Sequence, residues 1–243
     1  KHIGRHLRAL RDSGEGGHIV ALQEMMDISA RRIYKLAKYP VRDKGPKAKW
    51  FRANGGLEVL SEYPILVSNE MVFKKCKGYD CLSRKGVQHV RIMIPGLPFP
   101  IDMYNTHLNA GGQKHADIRH QQIRQMNEFI AKTRDPKIPM VVLGDFNFRQ
   151  NQEGYRLFTS RYNPFNAAEQ CGLNQTCEGD PDPYQIWKNG LIDHQFYDAG
   201  NTGQISLTPV FYKHYFTKIK VGKYRKVNLS DHPAVMAHYL IEY

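Results

Sequence analysis

Gly144-Asp145-Phe146-Asn147 ends an apolar run, Met140-Val141-Val142-Leu143, and Ser230-Asp231-His232 stands close to the C-terminus. Side chains alternate between the two faces of a strand, so Asp145 and Asn147 are expected on one side and Phe146 on the other. A carboxylate and an amide then face a common point. Ser230-Asp231-His232 adds a second carboxylate and an imidazole, the side chain whose ordinary pKa suits proton transfer near neutral pH. Together these read as two ends of a metal-dependent site that cleaves a phosphate ester. Carboxylate oxygens suit a hard cation, an amide can donate to a phosphoryl oxygen without adding negative charge, and an imidazole can take a proton from water.

These residues need strands to hold them, and the apolar pattern supplies them. Ile3, Leu7 and Leu10 have the spacing of a short amphipathic helix, which Gly14-Glu15-Gly16-Gly17 ends. A strand over 18–22 delivers Gln23-Glu24. Asp27 caps a second helix through Lys38, with Ile28, Ile33 and Leu36 among its apolar positions and Tyr39-Pro40 at its end. Strand patterns follow at 56–60, 86–94 and 99–104, the last running into Asn105-Thr106-His107-Leu108. A helix over 115–132 places Ile118, Ile123, Met126, Phe129 and Ile130 on an inner face and leads to the Asp145 strand. Strands over 191–197 and 234–239 complete a mixed order that suits two packed sheets with helices outside. Glu24, His107, Asp145 with Asn147, Asp193, and Asp231 with His232 thus stand at or beside strand ends. His194, next to Asp193, points to the opposite strand face. His89, His115, His120, His214 and His238 fit no motif and are expected at the surface or on helix faces, and Met25-Met26 in core packing.

The 243 residues contain no linker or internal repeat and read as one domain. With 41% hydrophobic and 24% charged residues the chain can bury a large core, which excludes disorder. The net charge of +12 favours polyanionic partners, whether nucleic acid, an anionic membrane or a phosphorylated substrate. Much of the excess lies in 31–52 and 213–226, where solvated basic loops are the plain alternative. No apolar run reaches the roughly 18 residues that span a bilayer. The first residues hold no apolar run of the kind an export signal carries. Cys76 and Cys81, and Cys171 and Cys177, form two local pairs wider than the C-x2-C hook of zinc sites. Two small-loop disulfides, 76 with 81 and 171 with 177, are favoured over buried free thiols, which implies export to an oxidising compartment.

Leu22-Gln23-Glu24, Gly55-Gly56-Leu57 with Leu60 to Ile65, Asn105 to Leu108, Gly144 to Asn147, Ile192-Asp193 and Ser230 to His232 resemble, in order and over nearly the whole chain, the endonuclease/exonuclease/phosphatase superfamily of metal-dependent phosphoesterases. The resemblance implies a four-layer α/β/β/α sandwich of two mixed sheets with outer helices. It implies Glu24 as ligand of Mg²⁺, with Mn²⁺ or Co²⁺ as alternatives, and Asp231 on the metal side. Asp145 and Asn147 would surround the phosphate and nucleophile, His107 would contact the phosphoryl oxygens, and His232, supported by Asp193, would act as general base. The family's first strand, which ends in an asparagine at the metal site, is expected in residues preceding Lys1.

Phe73 to Cys76 and Asp80 to Val87 look like the bacterial neutral sphingomyelinase branch. That branch also carries a membrane-touching hairpin in the region where Pro209 to Arg225 interleaves aromatics with lysines; a packed sheet-edge hairpin blunted by lysines is the alternative. The substrate expected is a phospholipid such as sphingomyelin at a membrane surface, cut by a secreted or periplasmic enzyme of phospholipase C type with no obligate protein partner. The runner-up is a DNase I-like nuclease acting on nucleic acid. A catalytically silent binding protein on the same fold is a third reading.

Overall fold

Alternating apolar residues build a central sheet that is buried on both faces. The computed structural model describes residues 1–27, 30–221 and 225–243, so Ile28 of the expected second helix and residues 222–224 of the aromatic-basic segment lie outside the described residues. The chain runs α1 (His2–Asp12), β1 (Ile19–Leu22), α2 (Arg31–Ala37), β2 (Val41–Lys44), β3 (Glu58–Ser61), β4 (Ile65–Val72), β5 (Gly86–Ile92), β6 (Ile101–His107). It continues α3 (Ala116–Thr133), β7 (Met140–Asp145), α4 (Glu153–Tyr162), β8 (Phe165–Asn166), α5 (Ala167–Leu173), β9 (Glu178–Gly179) and α6 (Pro183–Gly190). The last strands are β10 (Asp193–Asp198), β11 (Ser206–Tyr215), β12 (Ile219–Val221), β13 (Arg225–Val227) and β14 (Ala234–Glu242).

The central sheet has six strands in the order β4-β5-β6-β7-β10-β8, mixed because β6 and β7 run parallel while their neighbours pair antiparallel. Separate three-stranded sheets are β1-β3-β2 and β14-β11-β9, and β12-β13 forms a hairpin. One face of the central sheet offers Val87, Tyr104, Val142 and Phe196 to Ile123, Met126 and Ile130 of α3 and Phe158 of α4. The opposite face packs Val90, Ile92 and Met103 against Val59 of β3, and Val141 and Tyr197 against Leu207 and Tyr212 of β11. Each such side chain taken out of water contributes about 1.5–3 kcal/mol. α1 and α2 lie over β1 and β3, with Leu7, Ala37 and Leu60 buried together. Gly4 lets these two helices approach, since a Cβ there would stand 2.4 Å from the Ile33 carbonyl oxygen.

Several details differ from the sequence reading. Asp27 does accept from the Ala30 backbone N–H at 2.8 Å, but the regular helix begins at Arg31. The basic stretch 31–52 contains a strand, β2, whose Arg42 pairs with Glu58. β4 and the helices α4 to α6 went unanticipated, because their apolar residues are interrupted by the polar residues of partly exposed elements. His89 is the clearest correction: it is fully buried, donates from Nε2 to Asp102 (2.8 Å), accepts at Nδ1 from the Asn69 amide (3.1 Å), and stacks on Tyr104. Burial of an imidazole is tolerated here because both ring nitrogens find partners. Both expected disulfides, Cys76–Cys81 and Cys171–Cys177, are formed. Among the described residues no helix is long and apolar enough to cross a membrane.

Candidate active site

Strand register alone brings three of the expected residues together. Asp145 pairs with His107 across the β6–β7 ladder and with Asp193 across the β7–β10 ladder, so the three form one row over adjacent strands. Same-row neighbours share a face, the one opposite α3. His194, one residue on, points the other way: it is buried, its Nε2 lies 2.9 Å from the Phe148 carbonyl oxygen, and burial pushes it down to about 4.

Gly144 is what permits the row. A Cβ at this position would come within 1.9 Å of the Thr106 carbonyl oxygen, and its φ of +138° belongs to glycine. After Asp145 the strand ends and the chain turns. Asn147, at φ +51°, donates its backbone N–H to Asp145 Oδ1 (2.7 Å) and its amide to Asp145 Oδ2 (3.0 Å) and the Leu108 carbonyl (3.2 Å). An Asx-type turn, and not continued strand alternation, therefore brings Asp145 and Asn147 together. Phe146 is buried on the far side among Phe158 and Phe196, as alternation required.

His232 arrives from the loop before β14, and its Nδ1 lies 2.8 Å from Asp193 Oδ2. That bond fixes one ring nitrogen and leaves Nε2 to act. Burial by itself would lower the His232 pKa, but the charge and hydrogen bond of Asp193, with Asp145 and Asp231, raise it. Asp193 is pushed up to about 6 by burial and by the neighbouring Asp145 charge, against the pull of His232. Burial also opposes ionisation of Asp145, yet the His107 hydrogen bond and charge, the Asn147 backbone N–H and His232 hold its carboxyl below the usual range.

His107 has a partner that the sequence reading did not assign. The buried Lys85 places Nζ 2.9 Å from His107 Nε2, 2.7 Å from Asp80 Oδ1 and 3.1 Å from the Leu108 carbonyl. His107 Nε2 also stands 3.3 Å from Asp145 Oδ2, while Nδ1 is buried with no hydrogen-bond partner among the described residues. The Lys85 contact suits the tautomer protonated at Nδ1 and the Asp145 contact the one protonated at Nε2, so the two neighbours compete for this ring. Lys85 was visible as the residue opening a strand at Lys85-Gly86, but nothing in one sequence says that such a lysine points inward.

The two expected metal ligands sit differently. Glu24 follows β1 at φ +59° with an exposed side chain. The two residues before it are held beside β6: Asn105, on the same face as His107, donates to the Leu22 carbonyl (3.1 Å) and accepts from Gln23 Nε2 (2.7 Å). Asp231 is exposed and accepts from Ser230 Oγ at 3.2 Å. The ligand atoms of Asp145, Asp193 and His232, by contrast, all lie within 4.8 Å of one another. Two adjacent carboxylates on neighbouring strands, one of them pushed toward protonation, make a place that demands positive charge. The oxygen-rich donor set fits a hard divalent cation.

Residues 1–232 match the Endonuclease/Exonuclease/phosphatase family, and the chain belongs to it. Sphingomyelinase C of Listeria ivanovii is 30% identical over 174 residues, covering 66% of this chain and 50% of that protein. The chain thus spans about half the length of that relative. A Staphylococcus aureus beta toxin variant with bound magnesium ions superposes with a TM-score of 0.63 at 17% identity, over 98% of this chain and 91% of that one. D. rerio TDP2 complexed with a single-strand DNA product gives 0.71 at 15% identity, over 99% and 93%. At such identities the solved structures establish a shared fold, mixed α/β and DNase I-like.

Proposed function

We propose that this chain is a metal-dependent phosphodiesterase that hydrolyses a phospholipid such as sphingomyelin to phosphocholine and a lipid alcohol. The observation that carries the reading is the row His107–Asp145–Asp193 with His232 hydrogen-bonded at its end. Relatives named sphingomyelinases support the substrate class. We read the packing as four layers, α/β/β/α, with the row on the inner face of one sheet.

In this mechanism His232, its Nδ1 held by Asp193, takes a proton at Nε2 from water, and the water oxygen attacks phosphorus in line with the ester oxygen that leaves. The P–O bond to the lipid alcohol breaks as the new P–O bond forms, and the departing oxygen takes a proton from solvent to leave as the alcohol. His107 would contact a phosphoryl oxygen, Asn147 would turn its amide from the Leu108 carbonyl to another while still holding Asp145, and Asp145 would orient the phosphate and the attacking water. Glu24 and Asp231 would hold Mg²⁺, with Mn²⁺ or Co²⁺ as substitutes, and the neighbouring Asp145 and Asp193 would supply further negative charge to attract it. Bound metal supplies stabilisation of the charge that grows on the phosphoryl and leaving oxygens. The disulfides support secretion or a periplasmic location.

Liposomes containing sphingomyelin should release phosphocholine with Mg²⁺, lose turnover in EDTA and regain it on Mg²⁺ addition. Protein that releases none yet nicks plasmid DNA would replace this reading with the nuclease one, which the +12 charge also suits.

A further inference from the structure

Beside the site lie four large apolar side chains outside every core cluster. Trp50 and Phe51 form the tip of a turn closed by reciprocal backbone hydrogen bonds between Lys49 and Arg52, both 3.1 Å. They are 86% and 99% exposed. Tyr79 and Leu82, on the helical turn Gly78–Leu82, are 92% and 65% exposed. The two turns make one platform. Ala53 donates to the Leu82 carbonyl (2.8 Å), Arg84 to that of Ala53 (3.1 Å) and Arg52 Nη2 to that of Ser83 (2.5 Å). Cys76–Cys81 closes the second turn covalently. Trp50 keeps a φ of +56°, which L side chains seldom adopt, with its indole left in water. Apolar residues presented on a stapled platform mark a contact surface.

The charge around the patch has one sign. Lys47, Lys49, Lys74, Lys75 and Lys77 are exposed. Asp80, the single carboxylate in 47–53 and 74–84, is turned inward onto Lys85. Aromatics that sit at headgroup depth, an aliphatic side chain that can enter the acyl boundary and a lysine rim suit an anionic bilayer surface. A single-stranded nucleic acid instead needs successive aromatic faces along a basic groove, and here two turn tips project into solvent.

We propose that the Trp50-Phe51 and Tyr79-Leu82 turns are a membrane-docking surface that enters the headgroup region of an anionic phospholipid bilayer while the lysines pair with lipid phosphates and carboxylates. This deepens the phospholipid reading and rests on it. The surface is distinct from the aromatic-basic segment at 209–225. Because the 78–82 turn also carries Asp80, which holds Lys85 against His107, docking would set the catalytic row next to the lipid headgroups.

The test uses the full chain in EDTA, so that no lipid is consumed, with phosphatidylcholine vesicles with and without phosphatidylserine. The chain has two tryptophans, and Trp187 is 8% exposed, so a blue shift of emission on adding vesicles reports Trp50. The parent should show that shift and should sediment preferentially with phosphatidylserine vesicles. W50A/F51A should weaken partition by about tenfold or more. K74E/K75E/K77E should weaken it by roughly a hundredfold and erase the phosphatidylserine preference. Both variants should keep the parent's melting temperature and its Mg²⁺-dependent turnover of the soluble diester bis(p-nitrophenyl) phosphate. The proposal is overturned by unchanged parent emission, by W50A/F51A binding as the parent does, or by a single-stranded oligonucleotide that displaces the vesicles and loses affinity in W50A/F51A. Vesicle binding without hydrolysis of any phospholipid would leave docking standing and remove the hydrolase reading.

Discussion

The pair His232–Asp193 separates two ways of using the same atoms, and a double-mutant cycle tells them apart. The 2.8 Å bond from His232 Nδ1 to the Asp193 carboxylate is charge-assisted, a class worth about 1.5–3 kcal/mol. At 1.36 kcal/mol per decade, Asp193→Asn should lower kcat/KM by roughly 10- to 150-fold. His232→Ala removes the proposed base and should lower it by about 10²–10⁴-fold. If Asp193 acts through His232, the double variant should be no slower than His232→Ala alone. The pH profile adds an independent sign. Asp193 is a principal cause of the raised His232 pKa, and His232 serves as a base only when neutral. Loss of the carboxylate should therefore move the acidic limb of kcat/KM to lower pH. Turnover of bis(p-nitrophenyl) phosphate over a range of Mg²⁺ concentrations, starting from one that saturates the parent, measures each corner of the cycle without a membrane. Additive losses, or rescue of Asp193→Asn by raised Mg²⁺, would refute the dyad and make Asp193 a ligand of the cation, as its place beside Asp145 also allows.

Gly144→Ala should destabilise the fold by about 3 kcal/mol in urea unfolding and lower turnover as well, since a Cβ 1.9 Å from the Thr106 carbonyl oxygen must push β6 from β7. His194 is neutral and buried with a pKa near 4, so the unfolded chain binds a proton that the folded one refuses between about pH 6.5 and 4. Its contribution is fully present above that window and is lost as pH falls through it, about 2 kcal/mol between pH 7 and pH 5. Urea midpoints at the two pH values check this, and His194→Gln should flatten the dependence. Replacing both Cys171 and Cys177 by alanine should cost about 2 kcal/mol for so short a loop, a drop of about 6 °C in Tm by calorimetry.

The part of the site that was legible in the sequence is the part built by strands. A strand fixes side-chain direction every second residue, so Asp145 and Asp193 at strand ends could be read as facing one point, and the register sets them side by side. For Asn147, strand alternation gives the right outcome through the wrong local geometry. Alternation and an Asx turn both put its amide near Asp145, and only the φ of +51° distinguishes them. His89 and Lys85 were illegible for a different reason. Neither apolar periodicity nor composition records whether a polar side chain enters the core, because that depends on a partner supplied from elsewhere in the chain: Asp102 for His89, and Asp80 with His107 for Lys85. The same limit applies to the exposed turn at Trp50. Trp50 and Phe51 lie within the basic stretch 31–52, and nothing in that stretch tells whether the aromatic pair is packed until its neighbours, fixed by the Ala53–Leu82 and Arg84–Ala53 hydrogen bonds, are seen to leave it in water. Cooperation between segments distant in sequence thus decides which polar residues can reach the chemistry and which apolar residues are left outside the core.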